Sequence, residues 1–98
     1  MSRVSFLSRM TVKAGREADY ERLVTKLTKI VLETEPGVIY FEFFKLREPR
    51  RYAVLESFPS EEAEHAHMNS PWLAKAAPRI VDSLDGSWVR EYLDPFEP

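Results

Sequence analysis

Residues 38–58 read VIYFEFFKLREPRRYAVLESF, and this stretch decides the architecture of the chain. Its two ends, 38–46 and 52–58, are dense in β-branched and aromatic residues, which favour strands. The segment between them is polar and contains Pro49, whose ring fixes one backbone dihedral and suits a turn. The stretch therefore predicts a β-hairpin.

The first strand of this hairpin carries large apolar side chains on both of its faces. One face has Ile39, Phe41 and Phe43, and the other has Val38, Tyr40, Glu42 and Phe44. A single layer of helices covers only one face of a sheet, so the second face would expose an apolar patch of the kind that marks association. The alternation therefore predicts a homodimer.

The part of the chain before the hairpin predicts a strand followed by a helix. From Arg3 to Val12 the apolar residues alternate with polar ones, although imperfectly, which favours a strand. After a turn at 13–16, mostly apolar residues recur every three or four positions, the spacing of one buried helix face. They are Tyr20, Leu23, Val24, Leu27, Val31 and Thr34. Pro36-Gly37 ends the helix, because proline disfavours the helical conformation in the residue before it.

The part after the hairpin predicts helices and a last strand. Ser60 and Ser70 are good N-caps, so two helical segments are expected in succession. Pro78 should kink the second segment, which Asp85-Gly86 ends, and residues 88–93 alternate as a strand does. The order of elements predicts an α+β fold of the ferredoxin-like βαββαβ plan, with helices on one face of an antiparallel sheet.

Composition excludes several classes of protein. The 98 residues, 44% hydrophobic and 31% charged, are typical of one globular domain, which we assign to 1–98. Fourteen Lys and Arg against sixteen Asp and Glu give a formal charge of −2, so nucleic acid is not an expected partner. The chain has no run of 18 apolar residues and no recognisable cleavage site, so we expect no membrane association and a cytoplasmic location.

The residues that bind metals and cofactors are scarce. The chain has no Cys and only three Gly, which leaves no thiolate ligand and no glycine-rich phosphate loop. His65 and His67 are two apart on a predicted helix, so they point roughly 200° apart and cannot chelate one ion. We therefore expect neither a metal nor a cofactor.

Two kinds of titratable residue stand out as candidates. His67 shares a predicted helix face with the small residues Ala63, Ala66 and Ser70, whereas His65 should face solvent. The ordinary role for His67 is a partly buried residue bonded to backbone or to Asn69. Glu42 and Glu56 lie within strands, where a carboxylate needs a partner, and the expected partners are Arg9 or Arg90. An ion pair that fixes register is the simpler role for them, and acid–base work is the alternative.

Four short stretches together resemble one known protein family. They are KAGRE at 13–17, EPGV at 35–38, ESFPSEEA at 56–63 and AHMNS at 66–70. These stretches resemble the antibiotic biosynthesis monooxygenase domain, although that family usually has Trp where this chain has Phe58. The resemblance implies a dimeric α+β barrel with a cleft between sheet and helices. It also implies oxidation of quinols or polycyclic phenols by O2 without metal or flavin.

A related branch of the same superfamily degrades haem with Asn, Trp and His. The resemblance aligns these residues with Ser8, His67 and a position near Ala77, so haem degradation is not expected.

The resemblance also suggests roles for individual residues. O2 reacts slowly with closed-shell molecules, so a protein without a cofactor must deprotonate its substrate in a dry pocket. His67 is the predicted catalytic base, because imidazole accepts a proton near neutral pH. Ser8 or Tyr40 would orient a small aromatic, quinol or polyketide-type phenol, and Phe6 and Trp72 would pack on its ring. A non-catalytic binding or accessory dimer and a polyketide cyclase or isomerase remain alternatives.

Overall fold

A computed structural model describes residues 3–96, and within them the elements follow the predicted order. They are β1 (Val4–Thr11), α1 (Glu17–Thr34), β2 (Tyr40–Lys45), β3 (Arg51–Phe58), α2 (Glu61–Met68), α3 (Pro71–Asp82) and β4 (Val89–Leu93). The four strands form one antiparallel sheet in the order β2-β3-β1-β4. The predicted α+β ferredoxin-like fold is confirmed.

The register of the sheet sets which side chains face the helices. Phe6 of β1 lies opposite Glu56 of β3 and opposite Tyr92 of β4, and Glu56 also lies opposite Phe41 of β2. Side chains that are paired across strands share a face. One row across the inner face of the sheet is therefore aromatic except for a carboxylate near its centre.

Helix α1 covers this inner face with the predicted stripe. Tyr20, Val24, Leu27 and Val31 are buried, but Thr34 is exposed, contrary to the prediction. A helix turns about 100° per residue, so the position that follows Val31 on the same face is 35 and not 34. Glu35, the residue after the helix, is accordingly partly buried, and its backbone N–H donates to the carbonyl of Val31.

Helices α2 and α3 begin at the two predicted serine caps. The Oγ of Ser60 accepts from the N–H of Ala63 at 3.1 Å, and the Oγ of Ser70 accepts from the N–H of Leu73 at 3.3 Å. Helix α3 continues through Pro78 as one helix, and it ends at Asp82, three residues before the predicted Asp85-Gly86 stop. The chain then turns at Gly86, whose φ of 90° is favourable only for glycine.

The outer face of the sheet carries the expected surplus of apolar side chains. Tyr40 and Phe44 of β2 are each 38% exposed, and Val89 and Leu93 of β4 are 60% and 42% exposed. The pairing register places all four on the face opposite the helices. We call these four residues the outer-face patch.

The two serine caps provide a test of the helical layer. Ser70→Ala should cost about 2 kcal/mol of unfolding free energy, because Ser70 is buried and its Oγ also donates to the carbonyl of His67 at 2.7 Å. Ser60→Ala removes one cap bond and should cost about 1 kcal/mol. Urea unfolding of both variants measures the difference, and equal losses would contradict the double role of Ser70.

Candidate active site

A cavity of about 200 Å³ lies between the inner face of the sheet and the helices. Its lining includes residues of both hydrophobic clusters of the core, such as Met10 from one and Leu27 from the other. Four lining residues are polar: Ser8, Glu56, His67 and Arg90. All the other lining residues are apolar or aromatic, and they include Trp88. The cavity thus has a mainly apolar wall with four polar side chains.

His67 is held at this cavity by a carboxylate from another helix. Its ring is 2% exposed, and Nδ1 lies 2.8 Å from Oε2 and 3.0 Å from Oε1 of Glu35. The rings of Phe41 and Phe58 pack beside the imidazole, with centroids 5.3 and 5.0 Å away. The expected partner, backbone or Asn69, is therefore wrong, because the side chain of Asn69 donates to the carbonyl of His65 instead.

The hydrogen bond to Glu35 fixes the tautomer of the imidazole, and thereby which nitrogen can act as a base. A carboxylate only accepts hydrogen bonds, so Nδ1 carries the proton and Nε2 is left with its lone pair in the neutral ring. Nε2 lies 3.4 Å from Oε1 of Glu56. Glu35 is itself held, because its Oε2 accepts from Nε1 of Trp72 at 2.7 Å. The arrangement positions a basic nitrogen among apolar walls.

The surroundings of Glu56 disfavour the ionised form of its carboxyl group. Burial raises the pKa of Glu56 from 4.5 to about 8, against the opposing attraction of Arg90, while the negative charges of Glu64 and Glu35 raise it further. Its Oε1 has no hydrogen-bond partner among residues 3–96. Of the two predicted partners, Arg90 is the one that acts on Glu56.

The other carboxylate and arginine of the strands lie on the outer face. Arg9 pairs with Glu91 at 2.7 Å, and Glu42 accepts from the hydroxyl of Tyr40 at 2.6 Å. Neither contact involves the cavity, and the expected ion pair of Glu42 with Arg9 or Arg90 is wrong, because Glu42 is exposed and its partner is Tyr40.

The predicted site residues do not all come together. His67 and Ser8 line the cavity. Phe6 is fully buried but packs against Phe58 and Tyr92 without lining the cavity, and Trp72 bonds to Glu35 outside the lining. Tyr40 lies on the outer face, because β2 pairs so that Phe41 and Phe43 point inward, and this corrects its expected place in the cleft.

The helix that carries His67 differs from the prediction in one respect. His65 is exposed as expected, but Ala66 is exposed too, and the side chain that joins His67 on the buried face is Glu64. The room beside the imidazole is therefore on the sheet side and does not come from Ala66.

Two residues of this region, Trp88 and Glu35, escaped the sequence analysis, and two contacts of Arg90 were not predicted. Arg90 stacks over the ring of Phe6 at 4.2 Å and donates from Nε to the Oγ of Ser8 at 3.3 Å. Trp88, just before β4, lines the cavity. Glu35 was treated only as a helix-ending residue, yet its position continues the spacing of the buried stripe, which is the signal that could have revealed it.

Comparison with known proteins agrees with this geometry. A sequence model of the family described as antibiotic biosynthesis monooxygenase matches residues 4–79. The chain belongs to the antibiotic biosynthesis monooxygenase family. No curated protein matches the chain. Ser8, His67 and Ala77, which the resemblance aligns with the Asn, Trp and His of the haem-degrading branch, all line the one cavity described above.

Solved structures show the same fold for the family. A protein of Caulobacter crescentus described as a candidate antibiotic biosynthesis monooxygenase is 25% identical, with a TM-score of 0.91 over 97% of this chain and 91% of that one. A similar candidate from Nitrosomonas europaea is 13% identical, with a TM-score of 0.89 over 98% and 92% of the two chains. A Mycobacterium tuberculosis protein is 15% identical, with a TM-score of 0.88 over 99% and 98%. The last two support the fold alone.

Two kinds of feature are absent from residues 3–96. Within 3–96, no group of three or more acidic or histidine side chains is arranged to hold a metal ion. No helix in that range has both the length and the apolar character needed to cross a membrane.

The raised pKa of Glu56 predicts a dependence of stability on pH. Between pH 4.5 and about 8 the folded chain keeps the proton on Glu56 and the unfolded chain loses it, so folding takes up a proton and the unfolding free energy falls as pH rises. Glu56→Gln should remove this fall and stabilise the protein by about 1–3 kcal/mol at pH 8.5. Urea unfolding from pH 5 to 9 measures it. Exposed Glu33→Gln is the control, and a fall in Glu56→Gln as steep as in the wild type would refute the assignment.

Proposed function

We propose that the protein is a cofactor-independent monooxygenase that oxidises a small phenol or quinol with O2 in the cavity between sheet and helices. The observation that carries the proposal is the imidazole of His67, with Nδ1 bonded to Glu35 and Nε2 near Glu56 at the wall of a cavity lined mainly by apolar residues. Membership of the family and the Caulobacter relative support the same reaction class.

The chemistry needs a base and a dry site. Removing a phenolic proton makes the ring electron-rich enough to react with O2, and the proton goes to Nε2 of His67 while the carboxylate of Glu35 stabilises the imidazolium. The substrate supplies the electrons: one atom of O2 enters the ring as a new carbonyl and the other leaves as water. Apolar walls exclude water from the reactive anion. Ser8, on the cavity wall, would orient the substrate oxygen.

The size of the cavity limits the substrate. A cavity of about 150 Å³ takes up benzene, so one of about 200 Å³ suits one or two fused rings. A cyclase or a binding protein would use the same cavity without consuming oxygen. Oxygen consumption therefore separates the proposed function from these alternatives.

The reaction predicts a loss of activity that is specific to His67. The wild type should accelerate oxygen uptake by a panel of naphthoquinols and naphthols above spontaneous oxidation, and His67→Ala should reduce that acceleration about 100-fold or more. It should also cost about 1–3 kcal/mol of stability, because the buried Glu35 loses a donor. Exposed His65→Ala should change neither quantity. Equal activity in the two variants, or no oxygen uptake by the wild type on any of these substrates, would overturn the proposal.

We also propose that two copies of the chain associate through the outer-face patch. Exposed Tyr40, Phe44, Val89 and Leu93 form an apolar surface on a sheet whose helices cover only the other face. The family resemblance implies the same contact. A stable interface of this kind buries more than about 1,000 Å² in total.

Association through this patch predicts a dimer in sedimentation at micromolar concentration. Phe44→Glu should shift it toward monomer, because a buried unpaired charge is costly at an interface. Leu32→Glu is the matched control, since Leu32 is a 56% exposed apolar residue on α1, in the helical layer. A monomeric wild type, or the same effect in both variants, would refute this interface.

A further inference from the structure

The carboxyl group of Glu56 has one oxygen without a hydrogen-bond partner at the wall of the cavity. Glu56 is 6% exposed, it lines the cavity, and its Oε1 has no hydrogen-bond partner among residues 3–96. A buried polar atom left unbonded costs about 1–3 kcal/mol. A carboxyl group kept under that penalty beside an apolar space points to a donor that arrives with the ligand.

The charged and titratable groups around Glu56 come from three elements. From α2 it faces Glu64 and His67, from the end of α1 it faces Glu35, and from β4 it faces Arg90. Its register partners on β1 and β2 are Phe6 and Phe41, which bring no charge. Glu64 already accepts from the hydroxyl of Tyr92 at 2.9 Å, and Arg90 already donates to Ser8.

The imidazole of His67 lies close to Glu56 and can take a proton from it. Oε1 of Glu56 and Nε2 of His67 are 3.4 Å apart, and Nδ1 on the far side of the ring is bonded to Glu35. Glu35 is the most exposed of the three, at 14% of its side chain against 8% for Glu56 and 2% for His67. The three groups are in contact in the order Glu56, His67, Glu35.

We propose that Glu56 binds the hydroxyl of the ligand through Oε1 and passes the proton it receives to Nε2 of His67. This deepens the proposed function, since the ligand is taken to be a phenol of one or two rings. The ligand O–H bond breaks as an O–H bond to Glu56 forms. That bond then breaks as N–H forms on His67, so one proton moves and no electron is exchanged. The same subsite would discriminate against apolar rings that lack a hydroxyl.

The pH dependence of this subsite follows from the carboxyl group. Only ionised Glu56 can accept the proton, and burial keeps Glu56 protonated until the pH approaches its raised pKa of about 8. The affinity for a phenol should therefore rise as the pH goes from 6 to 8, on the order of tenfold. The affinity for a ring without a hydroxyl should not change.

The experiment uses 1-naphthol and 1-methylnaphthalene as matched probes, because they have similar shape and only the first has a donor. Affinities are measured by calorimetry at several pH values for the wild type, Glu56→Gln, Glu56→Met and Glu64→Gln. Glu64→Gln is the control, because Glu64 is a buried carboxylate on the helix of His67 that already has a partner. Its replacement removes one charge that raises the pKa of Glu56, so the rise in affinity should persist in this variant but begin at lower pH.

We expect the wild type and Glu64→Gln to bind 1-naphthol more tightly as pH rises. Glu56→Gln should lose the rise with pH, and Glu56→Met should bind 1-naphthol about tenfold or more weakly while binding 1-methylnaphthalene as before. A rise with pH that persists in Glu56→Gln, or an equal loss in Glu64→Gln, would overturn the proposal.

Oxygen uptake by the same variants separates this proposal from the proposed function. Binding as expected without oxygen uptake by the wild type supports the hydroxyl subsite and refutes the monooxygenase. Oxygen uptake at the wild-type rate in Glu56→Gln and Glu56→Met refutes the proton path through Glu56 and leaves the monooxygenase standing.

Discussion

The carboxylate of Glu35 joins the helical layer of the protein at one point. It stands one residue after α1, it accepts from His67 of α2 at 2.8 Å, and it accepts from Trp72 of α3 at 2.7 Å. A charge that is mostly buried must be matched by donors, and here each donor belongs to a different helix. The same contact that fixes the helices relative to each other also fixes the tautomer of the imidazole at the cavity. Structure and site chemistry therefore depend on one group.

The buried polar side chains of the cavity lower the stability of the fold, and the hydrophobic core offsets this loss. The core consists of two hydrophobic clusters, one around Tyr20 and Tyr52 and one around Leu27 and Phe41, and both contribute to the cavity wall. Filling that space with aliphatic side chains and replacing Glu56 by an apolar residue would favour stability. A buried carboxyl group with a raised pKa is instead typical of a site whose function needs a poised proton.

The sequence predicted most of the fold because its signals are local. The buried stripe of α1, the two serine caps and the hairpin each depend on residues that are close together in the sequence, and the structure has each of them. The site was predicted in part, as His67 and Ser8. Tyr40 was misplaced because β2 has large apolar residues on both faces, so alternation alone does not show which face is inward; pairing with β3 decides it. Arg90 was one of two expected partners for the strand carboxylates, and its contact with Ser8 depends on the register between β1 and β4, which no local signal contains.

The family match covers some of the residues around the cavity but not all of them. The matched range, 4–79, contains Ser8, Glu35, Glu56 and His67, so the family match covers these four residues. Residues 80–96 lie beyond it, yet their segment supplies Trp88 and Arg90 to the wall. Arg90 is the cation that offsets the burial of Glu56, and it does so from an exposed edge strand. The positive charge that acts on Glu56 thus comes from β4, a strand that the family match does not cover. For this reason the contacts within this chain support a proton-handling site as much as its relatives do.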